Sequence, residues 1–277
     1  MDMFRWLTGR GASQAEVHEM QARIPEPLWR DVLAAHPFFD ALDAADLEAL
    51  RARAAWLLAS KQINAAGCLE LNDFMRLSIC AQAALPILKL SPQLYAGWDE
   101  IIVYPSGFTI PQVMQDEDGV VHEYLEEAAG QAWDGGPVIL SWDDAADAQE
   151  AFNVVIHEFA HKLDLRAGSA DGMPDLGPGL SPRQWQQTLQ DSLAHFRRAL
   201  DEIEAAIPPD IDPESPDADT WYGQLPLDPY AATDEAEFFA VSSEHFFTAP
   251  WPLAEAMPDW YALLRAYYQQ DPLARLS

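Results

Sequence analysis

Five consecutive residues, His157-Glu158-Phe159-Ala160-His161, restrict what this chain can fold into more than any other feature. They lie in the run DAADAQEAFNVVIHEFAHKLDLRAG (144–168), where Phe152, Val155, Ile156, Phe159 and Leu163 recur at helical spacing. That spacing predicts a helix with one apolar face, stopped near Gly168. Glu150, Asn153, His157, His161 and Asp164 share the other face. Four residues make just over one turn, so the two imidazoles project from the same side. Two neutral ring nitrogens so placed can bind one Zn²⁺ at about 2.0–2.1 Å. Glu158 points slightly aside, where its carboxylate can reach a water without binding the ion. That is the geometry of a general base in a zinc hydrolase. The competing reading, two histidines decorating a surface helix, sits poorly with an apolar half that demands burial.

A catalytic zinc takes three protein ligands and keeps one position open. The longer spacing HExxHxxGxxH does not supply the third, because Asp164 stands at the glycine position and Ala167 at the last histidine position. His18, His36, His122, His195 and His245 lie in no comparable pattern and read as surface or core histidines. Two cysteines, Cys68 and Cys80, exclude both a Cys-rich zinc site and a disulfide scaffold. A carboxylate from a later helix is the better choice, and Glu235, Glu237 and Glu244 are the candidates. Thr233 reads as a helix cap, and Asp234 and Glu235 suit a first turn through the helix dipole, so they need no metal to explain them. Glu237 lies one turn in, beside Phe238 and Phe239, where an unpartnered carboxylate is costly to bury. A metal resolves that cost. Glu244, two turns further along the same face, reads either as a partner to a ligand histidine or as an exposed helix residue.

The rest of the chain reads as α+β and predominantly helical. Residues 1–20 are polar and expected to be loosely held. From Pro27 to about Leu90 the pattern is helical, with Leu47, Leu50, Ala54, Leu57 and Leu58 on one face of a helix capped by Asp43 or Asp46. DFMRLSICAQAALPILKL follows as a buried helix bent or ended near Pro86. Short strands are predicted over Ile101–Tyr104 and Val138–Trp142. Pro137 marks the second as an edge strand or a strand start, and as an edge it is a candidate to hold a substrate by strand addition. The segment 208–219 has four prolines and five acidic residues in twelve positions and reads as an exposed loop. A helix starting near Thr233 and another over PDWYALLRAYYQQDPLARL close the chain. The expected organisation is one unit over 1–277. It comprises a helical part (1–90) and a catalytic core (91–277) that carries the acidic loop.

Charge removes several classes of function. With 45 acidic against 16 basic residues the formal net charge is −29, so direct nucleic-acid binding and attachment to anionic lipid are not expected. The most apolar stretch, LSICAQAALPIL (77–88), is broken by Gln82 and Pro86 and falls short of the ~20 residues a membrane span needs. The opening MDMFRWLTGRGASQAE has no apolar core of signal-peptide length. A soluble, cytoplasmic protein is the expectation.

HEFAHKLD, Tyr230-Ala-Ala-Thr-Asp-Glu-Ala-Glu237-Phe-Phe-Ala-Val, Ser243-Glu244, Phe246-Phe247 and the terminal YYQQDPLARL together resemble the Mlc titration factor A family of bacterial zinc peptidases. The similarity spreads from the Trp29 region to the C-terminus. It implies a gluzincin with a zincin-like core, one Zn²⁺ per chain held by His157, His161 and Glu237, and Glu158 as base. It further implies peptide substrates, aminopeptidase-like activity and binding to a repressor protein of the Mlc kind. The spacing of Tyr230 and Glu237 is similar to that in the anthrax lethal factor group, which implies that Tyr230 stabilises the tetrahedral intermediate. The rival reading is a non-catalytic regulator that sequesters a transcription factor and keeps a structural or relic zinc site.

Overall fold

The computed structural model describes residues 12–115, 121–146, 152–213 and 215–275, with side chains of 110–115 and 121–127 left aside. Glu150 and the side chain of His122 therefore lie outside the described residues.

The N-terminal region forms α1 (Gln14–Arg23), α2 (Glu26–Ala35), α3 (Ala44–Ser60), strand β1 (Gln62–Ala65) and α4 (Asp73–Ala84). Residues 14–20, expected to be loosely held, are helical because Ser13 and Glu16 build a capping box that satisfies the first free N–H groups. Asp43 caps α3 by accepting from Asp46 N–H at 2.8 Å, and α4 ends at Leu85, just before Pro86. β1 interrupts the helical run expected over 27–90. It pairs in parallel with β2 (Glu100–Tyr104), Ile63 opposite Ile101.

β3 (Phe108–Gln115) and β4 (Val121–Ala128) form a separate antiparallel ribbon. β5 (Gly130–Ala132) and β6 (Val138–Ser141) complete the main sheet, whose order is β1-β2-β6-β5. β6 is therefore internal, parallel to β2 on one side and antiparallel to β5 on the other. The expectation of an edge at Val138–Trp142 is corrected. Pro137 marks a strand start, and Trp142 already belongs to α5 (Trp142–Ala146). The edge on that side is β5.

The HExxH residues lie on α6 (Val154–Asp164), which begins later than the periodicity suggests because Asn153 caps it, accepting from Ile156 N–H at 2.8 Å. Phe152, expected on the apolar face, precedes the helix and is exposed. Gly168, at φ 126°, closes the turn after α6. The long α7 (Pro182–Ala206) buries Trp185, Leu189, Leu193 and Phe196. Among the described residues of 208–219 a 3₁₀ turn, Pro216–Ala218, leads into α8 (Asp219–Tyr222). α9 (Glu235–Thr248) follows, capped by Asp234 rather than Thr233, since the Asp234 carboxylate accepts from Glu237 N–H at 2.9 Å. α10 (Pro250–Ala256), α11 (Pro258–Tyr268) and α12 (Pro272–Arg275) close the chain, the last two separated at Gln269, φ 53°.

α6 packs between the sheet, α4 and α9. Its Phe159 is fully buried, with the rings of Tyr95 and Trp98 at 5.0 and 5.6 Å. One buried apolar cluster runs from Ile24 through the sheet and α6 to Tyr268. The fold is α+β and predominantly helical around a small mixed sheet. Among the described residues no helix is long and apolar enough to cross a membrane.

Candidate metal centre and cleft

α6 and α9 face one another, and their contact brings three donor atoms together. His157 Nε2 and His161 Nε2 are 3.1 Å apart. Glu237 Oε2 stands 3.1 Å from the first and 3.3 Å from the second. Ligands about 2.05 Å from a tetrahedral ion stand roughly 3.3 Å from one another, so this triangle has the size of one face of a zinc coordination shell. Two imidazoles and a carboxylate are also the donor chemistry zinc accepts. Among the described residues, these three form the His/Cys/Asp/Glu group that could hold a metal.

Glu244 is no exposed helix residue. It is buried, its Oε1 lies 2.6 Å from His157 Nδ1, and its Oε2 accepts the Asn153 N–H at 2.7 Å. With Nδ1–H donated to Glu244, the ring turns its Nε2 lone pair toward the triangle. Burial favours a neutral His157, but Glu244 and Glu237 outweigh it and hold the imidazole well above its ordinary range. Burial would also raise Glu237, yet the hydrogen bonds from His157 and His161 draw it well below the carboxylate range. Loading the site with a dication displaces the proton this arrangement holds. Glu244→Gln keeps the size and one acceptor oxygen but removes the charge. It is expected to lower zinc affinity by about 10–100-fold at unchanged fold, measured by competition with a chromophoric chelator.

Behind Glu244 a buried polar chain leads to the N-terminal helices. Asn153 Nδ2 donates to Gln82 Oε1 at 2.7 Å, Gln82 Nε2 reaches Ser78 Oγ at 3.3 Å, and Ser78 Oγ lies 2.7 Å from His36 Nε2. His36 is thus a core histidine, while His18 and His195 are on the surface.

Glu158 is buried beside the triangle, and its Oε2 has no hydrogen-bond partner. Burial raises its pKa, partly opposed by His157 and His161. β5 packs directly over it. A Cβ built on Gly130 would overlap Glu158 Oε1 and stand 2.6 Å from its Cγ and 2.7 Å from Val154 Cγ2. Only glycine lets the strand lie this close to the carboxylate. Gly130→Ala is expected to displace Glu158 and, on the peptidase reading proposed below, to cost on the order of 10² in turnover, the usual penalty for a misplacement near 1 Å. Zinc content should be retained. Equal turnover with unchanged zinc would show that the strand yields instead.

Lys162, next to His161, is buried and donates to the Trp133 and Gly136 carbonyls at 2.7 and 2.9 Å. It thereby fastens the β5–β6 turn to α6. Burial brings its pKa down to about 8. Tyr230 sits on a 3₁₀ turn, Pro229–Ala232, where Asp228 accepts its N–H at 2.8 Å. Its ring centroid is 6.1 Å from that of His157. Arg197 of α7 holds the following segment by donating to the Ala232 and Thr233 carbonyls.

The triangle opens into a cleft of about 880 Å³ lined by β5 with Ala128 and Ala129, by the segment 225–230, and by α9. Glu158, Tyr230 and His245 all contribute to its wall. Burial lowers the His245 pKa to about 4, so the ring is neutral near pH 7. Glu235 is not among the lining residues.

Comparison with known proteins agrees with this geometry. The profile of the glucose-regulated metallo-peptidase M90 family matches residues 10–269. The chain belongs to this family. Its relatives include proteins named Mlc titration factor A. The one from Serratia proteamaculans is 37% identical over 254 residues, covering 90% of this chain and 89% of that protein. The one from Pectobacterium atrosepticum is 38% identical over 244 residues, 87% and 85%. The one from Yersinia enterocolitica is 34% identical over 278 residues, 99% and 94%. M90 membership implies a metal ion, and the donor triangle suits one.

Proposed function

We propose that this chain is a zinc-dependent peptidase in which His157, His161 and Glu237 hold one Zn²⁺ and Glu158 is the general base. The observation that carries this reading is the Glu158 carboxylate, buried and unpartnered at Oε2 beside three convergent donors on the wall of an open cleft. A structural zinc is normally closed by four protein ligands and needs no base beside it.

When bound, zinc supplies the Lewis-acid charge that polarises a carbonyl and acidifies water. Glu158 takes the water proton at its carboxylate, and its raised pKa lets it return that proton to the leaving amine. Tyr230 donates its hydroxyl to the oxygen on which negative charge develops. β5 ends the sheet beside the cleft, so an extended substrate pairs along it, in place of the β6 pairing expected from the sequence. Amide exchange at 129–132 should slow when a peptide inhibitor binds, and unchanged exchange would remove β5 from the binding site.

Tyr230→Phe removes one oxygen and keeps the ring. Loss of an oxyanion donor costs on the order of 10²–10³ in kcat, and KM should change little because the donor acts on the transition state. Normal zinc and normal thermal stability are expected. Unchanged kcat would leave Tyr230 a packing residue.

The name of the relatives supports a second role, binding of an Mlc-like repressor protein in the cytoplasm, without direct contact to nucleic acid. Metal analysis, combined with aminopeptidase and endopeptidase substrates assayed with and without chelator, tests the enzyme reading. A metal-loaded protein that cuts none of them would favour the sequestering regulator instead.

A further inference from the structure

We propose that the cleft selects extended polypeptide segments carrying bulky apolar side chains beside lysine or arginine, and disfavours acidic ones. This rests on the peptidase reading of the same site and names its substrate class.

Two independent observations lead here. The first is where exposed aromatic surface lies. Among the described residues the exposed large hydrophobic side chains are Trp133 (51%), Phe152 (42%), Tyr230 (48%) and Trp251 (65%). Phe152 and Tyr230 line the cleft, Trp133 follows the lining residue Ala132, and Trp251 stands between Ala249 and Pro252, which also line it. Single exposed apolar residues scattered over a surface need no explanation. Here two of them, Phe152 and Tyr230, share the wall of one cleft, and aromatic side chains are those that most often carry binding energy at an interface.

The second observation is charge. Glu158, Asp219, Asp228, Asp234, Glu237 and Glu244 line the cleft, and among the described residues no lysine or arginine does. A dication in the site offsets two of those six carboxylates. Four carboxylates remain, and the cleft is still negative. The chain as a whole, at −29, adds a field of the same sign. An acidic segment is repelled in such a cleft, and a basic one gains in rate of encounter and in affinity. Aromatic contacts and a negative wall together specify an apolar and cationic segment.

The test uses the full-length, zinc-loaded protein and internally quenched peptides of equal length with one common scissile pair. The flanking positions are Lys/Arg or Asp/Glu, and an aromatic position is kept or replaced by serine. We expect kcat/KM for the basic, aromatic peptide to exceed that for the acidic one by roughly tenfold at low salt. The ratio should shrink toward unity at about 0.5 M salt as screening tightens. Phe152→Ala should raise KM for the aromatic peptide several-fold, more than it lowers kcat. The same peptides are titrated by fluorescence anisotropy against Glu158→Gln, which reads selectivity without turnover. Equal cleavage and equal binding of acidic and basic peptides, or a preference indifferent to salt, overturns the proposal while leaving the peptidase intact. Selective binding without any cleavage by the wild-type protein has the opposite meaning: the selectivity holds and the peptidase reading falls.

Discussion

Glu237→Ala is expected to lose zinc and turnover together. The triangle of His157, His161 and Glu237 contains one donor from α9, and removing it leaves two histidines on a single helix, too few for a tight site. The loss of affinity should exceed the roughly 10–100-fold that removal of an outer partner costs. The fold should survive, because Asp234 still caps α9 through the backbone, and Phe238 and Phe239 keep it buried. Zinc per chain after dialysis, read beside a melting curve, decides the matter. Glu235→Ala is the control: its side chain lies outside the donor group and the variant should keep its metal. The opposite pattern would move the ligand to Glu235.

Glu158→Gln should keep fold and zinc and lose about 10²–10⁴ in rate, the usual contribution of a positioned base. The substitution is nearly isosteric, which matters where Gly130 leaves no spare room. An amide at the unpartnered Oε2 position introduces a buried donor, so a modest fall in melting temperature, on the order of 1–3 kcal/mol of stability, is expected. Binding of a repressor partner, if it uses other surfaces, should persist in this variant. Wild-type turnover in Glu158→Gln would end the catalytic assignment and leave the sequestering role in place.

Some of this was legible in the residues, for physical reasons. Caps and breakers act locally, so Asp43, Pro86 and Gly168 mark α3, α4 and the end of α6 almost where the structure has them. The four-residue spacing of His157 and His161 sets their common direction through helix geometry alone. The cost of burying a free carboxylate singled out Glu237, and the structure places it against both histidines. Other features depend on tertiary contact. A strand of three residues has no period to read, so β5 is invisible until β6 pairs with it, and Gly130 acquires its meaning only from Glu158 beneath it. His245 has no pattern of its own, and its place in the cleft wall follows from how α9 packs. Pro137 is compatible with an edge or a start, and local chemistry cannot choose between them. α7 is a different case. Ser181-Pro182 and the stripe Trp185, Leu189, Leu193 and Phe196 are readable helix signals, but they bear no chemistry and carry weight only once Arg197 is seen to hold the Tyr230 segment.

The grip of Lys162 on the β5–β6 turn has a consequence for thermal motion. One short helix carries two of the proposed metal donors, the proposed base and, through that ammonium, the anchor of the neighbouring turn. A shift of the helix would carry these groups with the turn and so tend to preserve the spacing between β5 and the Glu158 carboxylate. Such a centre can tolerate breathing of the surrounding protein without losing its internal alignment. Lys162→Met would cut that mechanical link while leaving every donor atom in place.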